Sequence, residues 1–292
     1  MLNYIHRLLW PFPMEECSGG ARFLRSCGKR LTCLTAAIEG GYQVPSPSQQ
    51  REIHDEYTEI ANKYFEDSFR KPLTECMKRS ISSGVSMTDY YCLHRYICVH
   101  KPRRVLELGC GISSFIFANA FAENTISDPA CAGNHLHSME HLEKYFADVN
   151  KVIPDDLKSY VTFHLSMAEV FYWRDILPTS SYMQLPDESF QLLLVDGPPA
   201  EGRSNGDMFK IIEKSPEPVD VILDKRVKTT MTLDRYLPKG TVWFDYAQEL
   251  GFARGVTADM LLKEPRMIMP LRHRDIFKHF DLTESRPNGD PQ

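Results

Sequence analysis

The chain has 292 residues, 42% hydrophobic and 25% charged, enough for one large domain, or a domain with an appendage, around a full core. Thirty-four basic against thirty-nine acidic residues give a net charge of −5, which argues against broad, sequence-independent binding to nucleic acid. No apolar run approaches the roughly 20 residues that span a bilayer, and the first residues lack the apolar core and small-residue cleavage site of a secretory signal.

Residues 1 to about 50 are broken repeatedly by proline and glycine. Leu8, Leu9, Trp10 and Phe12 can dock on the main body or touch a membrane surface, and Ala21 to Ile38 can hold one helix, weakened by Gly28. All eight cysteines lie in the first 131 residues. None forms a C-x-x-C pair, and no paired His/Cys spacing suggests a zinc site, so reduced thiols in a cytoplasmic protein are expected.

From Ser48 to Phe69 the apolar residues recur at three- and four-residue spacing, as on a helix. A second helix is expected over Met87 to His100, capped by Thr88 or Asp89. The chain then alternates. Strands are expected at Arg104–Leu108, His135–Met139, Tyr160–Leu165, Phe190–Val195, Val219–Leu223 and Gly240–Asp245, and helices at Ser113–Phe121, Leu142–Val149 and Arg226–Leu237. Phe190 to Val195 is apolar on both faces apart from Gln191, as a buried parallel strand should be. Such alternation implies an α/β fold: a doubly wound, mostly parallel sheet with helices on both faces, preceded by a mainly helical N-terminal extension. The expected division is residues 1–85 for the extension, 86–282 for the Rossmann-like domain and 283–292 for a disordered tail.

Two strand ends carry chemistry. The first strand ends in Glu107 and the turn Gly109-Cys-Gly111, where missing side chains let a ligand approach the backbone and the next helix offers its N-terminus. The fourth strand ends in Asp196-Gly-Pro-Pro199, where the prolines stop the strand and fix a carboxylate at the carboxyl edge of the sheet. No Ser/His/Asp set or G-x-S-x-G elbow supports hydrolase chemistry.

Together these segments resemble the class I S-adenosylmethionine-dependent methyltransferases, over roughly residues 85 to 250. The resemblance implies S-adenosylmethionine as cofactor and a small-molecule acceptor. It assigns Glu107, Gly109 and Gly111 to the amino-acid end of the cofactor, with Glu107 opposite its amino group and Ser113 and Ser114 near its carboxylate. Ser114 stands where a third glycine is common. It also assigns Glu140, beside His141, to the ribose hydroxyls, with Asp128 as the competitor at the more usual spacing. Glu123 to Asn134 would then be an inserted loop. Ser166 and Ala168 fall where the family meets adenine, and Asp196 and Gly197 between the cofactor's methionine part and the acceptor. Phe171 to Trp173 can pack in the core or stack on a base.

The next strand ends in Asp224-Lys225-Arg226. Lys225 replaces the second acid of many small-molecule methyltransferases, which argues against a bound magnesium ion. Asp196, Asp224 and Lys225 are the expected catalytic set, with Asp196 or Asp224 as base. Arg272-His-Arg274 can add positive charge to the acceptor site or remain at a solvated surface, and His164 is expected in the core or at an edge. A nicotinamide-dependent oxidoreductase and a non-catalytic binding protein on the same fold are the rival readings, the latter with the N-terminal extension as a partner-binding module.

Overall fold

The computed structural model describes residues 44–66, 69–82, 86–199 and 202–283. The expectations for Leu8 to Phe12, for a helix at 21–38 and for the tail beyond 283 lie outside these residues.

Helices lead. Pro47–Tyr64 (α1) starts from Ser46, whose hydroxyl accepts from the Gln49 amide while the Gln49 side chain accepts from the Ser46 amide. The helix expected over 48–69 is α1, which ends at Tyr64, and a further helix, Arg70–Arg79 (α2), begins beyond it. Phe65 and Phe69 flank the break and are both buried, so the chain bends where both rings enter the core. Met87–His100 (α3) matches its expected span, but its cap is Ser86, which accepts from the Asp89 amide at 3.3 Å. Thr88 and Asp89 are buried inside its first turn.

The alternating region follows as Arg104–Leu108 (β1), Ile112–Ser127 (α4), His135–Glu140 (β2), Glu143–Val152 (α5) and Val161–Leu165 (β3). The loop expected over 123–134 is largely ordered: α4 runs on to Ser127, and Asp128 then caps a short 3-10 turn through the Ala130 amide. Ala168–Trp173 (β4), Leu177–Tyr182 (β5) and Ser204–Asn205 (β7) form a separate three-stranded sheet. Within this set Trp173 is a core residue, stacked on Phe209 at 4.1 Å, whereas Tyr172 is exposed. Leu192–Val195 (β6), Asp207–Lys214 (α6), Val219–Asp224 (β8), Val227–Tyr236 (α7), Val242–Asp245 (β9), Leu250–Val256 (β10) and Ile276–His279 (α8) complete the chain.

The main sheet has seven strands in the order β3-β2-β1-β6-β8-β10-β9. All run parallel except β10, which pairs antiparallel with both β8 and β9. Both faces are covered, and alternate strand residues sort between them. Val105, Leu192 and Leu194 pack with α1 to α5 and α8, whereas Leu106, Leu193 and Val195 pack with α6 and α7. The helices α1 and α2 therefore share one core with α3 and α4. Among the described residues no helix is long and apolar enough to cross a membrane.

Candidate active site

Strand order reverses at β1, which has β2 on one side and β6 on the other. Open α/β sheets place ligands at such a switch point, outside the carboxyl ends of the strands. A cleft of about 360 Å³ lies there, lined from the ends of β1, β2, β6 and β8 and by the first turns of α3. That volume falls within the roughly 300–1,000 Å³ typical of small-molecule sites.

The two glycine motifs meet in the cleft floor. Gly109 has φ +101°, and a Cβ on it would stand 2.9 Å from the Gly197 amide nitrogen. A Cβ on Gly197 would stand 2.8 Å from the Gly109 Cα. Each glycine is needed because the other's backbone occupies the space. Gly111 and Ser113 continue the wall at the start of α4.

Glu107 sits beneath the turn. It is wholly buried and does not line the cleft; its Oε2 accepts from the Ser114 hydroxyl at 2.5 Å and the Ser138 hydroxyl at 2.6 Å. Burial pushes its carboxyl up to about 7, against the pull of those hydroxyls. Ser114, at the place of a third glycine, also accepts from the Gly111 amide at 3.3 Å, so its hydroxyl locks the turn from beneath. Glu107 thus supports the turn through Oε2, while its buried Oε1 has no hydrogen-bond partner among the described residues.

At the end of β2, Glu140 lines the cleft beside His141. Its Oε1 accepts from the amides of His141 at 2.7 Å and Leu142 at 2.8 Å, which fixes the carboxylate at the head of α5. Oε2 accepts from the Cys110 thiol at 3.6 Å. Asp128 is engaged elsewhere: it pairs with Lys101 at 2.9 Å and is not in the cleft wall. Ser166 and Ala168 do not line the cleft either. The Ser166 amide donates to the Glu140 carbonyl, its hydroxyl accepts from Gln184, and Ala168 is paired with Tyr182 in the small sheet.

The opposite wall is charged. Asp196 is tied to Arg226 at 3.1 Å, with about half its side chain (49%) open. Its surroundings raise its pKa, first by removing water and then through the charge of Asp224, while solvent at its open side moderates the shift. Asp224 lines the cleft at the end of β8, and burial likewise raises its pKa. Lys225 is not in the wall; its ammonium lies 3.4 Å from Asp89 and 3.6 Å from Asp224. Arg272 and Arg274 lie over Trp243 of β9, at 4.8 and 5.1 Å, and take no part in the cleft. His164 is on the edge strand β3, 3.0 Å from His137.

Asp89 and Tyr90 of α3 are cleft residues that the sequence pattern did not single out for chemistry. Asp89 is buried, and removal from water together with the Asp224 charge pushes its carboxyl up to about 7, against Lys225. The only signal was an acid in the first turn of a helix, which reads equally well as a cap.

No protein-family model matches the sequence, and no curated protein matches it. Among solved structures the chain is similar to an O-methyltransferase from Bacillus cereus in complex with SAH, at 15% identity and a TM-score of 0.40, over 62% of this chain and 79% of that one. It is similar to the SAH-bound Podospora anserina methyltransferase PaMTH1 at 14% identity and a TM-score of 0.41, over 66% and 77%. For the O-methyltransferase TomG from Streptomyces achromogenes, in complex with SAM, the figures are 15% and 0.35, over 78% and 98%. At such identities the likeness is one of fold. With its switch point at β1 and a single reversed strand between β8 and β9, the sheet has the strand order expected of the class I S-adenosylmethionine-dependent methyltransferase fold.

Proposed function

We propose that this protein is an S-adenosylmethionine-dependent methyltransferase that methylates a small polar molecule or sugar, on oxygen in preference to nitrogen. One observation carries the reading: four strand ends converge on a single cleft, with a bare glycine floor, an anchored carboxylate on one side and an acid–base cluster on the other. The residues fit the cofactor. The Gly109–Gly197 crossing gives an approach to backbone, and the Oε2 of Glu140 is held ready for a ribose hydroxyl.

When bound, the sulfonium donor supplies a methyl group already activated for in-line displacement. The chain's own work is then alignment and exclusion of water. Asp196 and Asp224 face the acceptor side, and either can take the proton of an acceptor hydroxyl. Loss of hydration raises both pKa values, which favours that step because a more basic carboxylate accepts a proton more readily. Lys225 balances the charge of Asp224 and Asp89 from behind, and Arg226 orients Asp196.

The test is calorimetric titration with S-adenosylmethionine, its demethylated product and NAD. Saturable binding of the first two and none of NAD is expected, with Glu140→Ala weakening both by about tenfold or more, the worth of roughly one charge-assisted hydrogen bond. Asp224→Asn is expected to leave that binding intact and slow transfer to an identified acceptor. Absence of binding to either ligand would overturn the reading.

A further inference from the structure

The α3 helix carries His94 and Cys98 one turn apart, and α4 brings Glu123 against them. One ring nitrogen of His94, the Cys98 sulfur and one carboxylate oxygen of Glu123 lie within 4.8 Å of one another. The ring's Nδ1 is 3.5 Å from the sulfur, and its Nε2 is 3.6 Å from Glu123 Oε1. We propose that these three side chains form a binding site for one thiolate-accepting divalent cation, zinc by preference, that fastens α3 to α4.

The donor set decides the class of ion. Imidazole, thiolate and carboxylate are all natural zinc ligands, whereas magnesium and calcium require oxygen donors throughout. Bond lengths near 2.0–2.3 Å at a tetrahedral centre put neighbouring donor atoms about 3.3–3.6 Å apart. The two short distances involve opposite ring nitrogens, but with one donor atom from each residue the set lies within 4.8 Å, so a small side-chain adjustment brings it to that spacing. Whichever nitrogen of His94 binds the ion, the other keeps an orienting partner: the Tyr64 hydroxyl lies 2.9 Å from Nδ1, and Asn119 Oδ1 lies 3.2 Å from Nε2. Tyr64 also sets an oxygen beside the cluster, where that hydroxyl or a water completes four-coordination.

Charge and burial point the same way. His94 is fully buried, with the rings of Tyr64, Phe65 and Phe69 around it at 5.5, 6.0 and 5.3 Å. Cys98 Sγ and Glu123 Oε1 both stand against the buried ring, so two groups able to carry negative charge face one enclosed position. A dication with a neutral imidazole, one thiolate and one carboxylate makes a cluster of zero net charge. The Cys98 thiol is free, and its proton passes to solvent when the sulfur–metal bond forms. The site follows Asp89, Tyr90 and Leu93, which line the cleft, along the same helix, so a bound ion would steady the wall from behind.

The test uses the full chain, reduced and stripped with a chelator, and Co²⁺ as the spectroscopic probe. Uptake of one equivalent is expected, with a thiolate-to-cobalt charge-transfer band that Zn²⁺ bleaches. Cys98→Ser should abolish the band, Glu123→Gln should weaken cobalt binding at least about tenfold, and a chain with Cys17, Cys27 and Cys33 all changed to Ser should keep the band. The proposal is overturned if the folded, stripped protein takes up no stoichiometric cobalt, or if the band survives in Cys98→Ser. Should Cys98→Ser not fold, Glu123→Gln at its half-exposed position decides, and unchanged affinity there overturns the site.

Discussion

At the scale of single residues, the floor of the cleft depends on two glycines that touch across the β1–β6 boundary. Gly109→Ala would add a Cβ 2.9 Å from the Gly197 amide and 3.0 Å from the Asp196 carbonyl carbon, at a φ of +101°. Both neighbours are backbone, so neither can swing aside. A loss of about 1–3 kcal/mol of stability is expected from the strained conformation alone, measured by denaturant unfolding, together with loss of cofactor binding. Wild-type stability and binding in the variant would show that the loops separate freely. The sequence made each glycine legible through its own motif, but not their contact, which depends on β1 and β6 being neighbours in the sheet. Glu107 was legible as an acid before a glycine turn; that Ser114 and Ser138 would engage its Oε2 and leave Oε1 without a partner among the described residues was not.

The element that matters most to the site is α3, because it carries Asp89 to the cleft and His94 and Cys98 to its rear. Its start rests on Ser86, whose hydroxyl accepts from the Asp89 amide. Ser86→Ala should cost about 1 kcal/mol in stability through the lost cap, and should also loosen Asp89 from Lys225, which lies 3.4 Å away. The combination to look for is a lower denaturant midpoint and a reduced maximal rate, with cofactor affinity unchanged. An unchanged rate would detach the cap from the site.

The span of α3 was plain in its apolar spacing, and so were β6 and β8, whose apolar runs end at charged residues. The small sheet and β10 were not. Leu250 to Val256 contains Gly251, Arg254 and Gly255, which break the alternation of a strand. Gly251 is there because α7 packs close: a Cβ would stand 2.2 Å from Thr230 Oγ1. The reason lies in tertiary contact, beyond the reach of local pattern. Likewise Phe171 to Trp173 reads as an aromatic cluster of either role, and its partner Phe209 decides the matter.

Across the whole molecule, the buried carboxyls set a direction for stability against pH. Asp89, Glu107 and Asp207 are all buried, and loss of hydration pushes each up to about 7. In the unfolded chain such groups titrate near 4. Between these values the folded state holds protons that the unfolded state has released, so stability is greatest at low pH on this account and declines as pH rises through about 7. His137 and His279 act oppositely, since burial lowers both to about 4, but they matter only below about 6.5, where the unfolded histidines begin to charge. From pH 6.5 to 8 the carboxyls therefore dominate, and a loss of about 2 kcal/mol is expected, seen as a melting temperature several degrees lower at pH 8. Glu107→Gln should remove part of that slope. A flat or rising profile would show that these carboxyls are ionised without cost in the fold. The same slope discriminates between ligands. A sulfonium carries a permanent positive charge that its demethylated product lacks, and Asp89 and Asp196 line the cleft that would receive it. Saturating S-adenosylmethionine should therefore flatten the decline more than an equally saturating dose of the product does. Equal flattening by both would mean that the carboxyls answer to occupancy of the cleft and not to the charge they are arranged to receive.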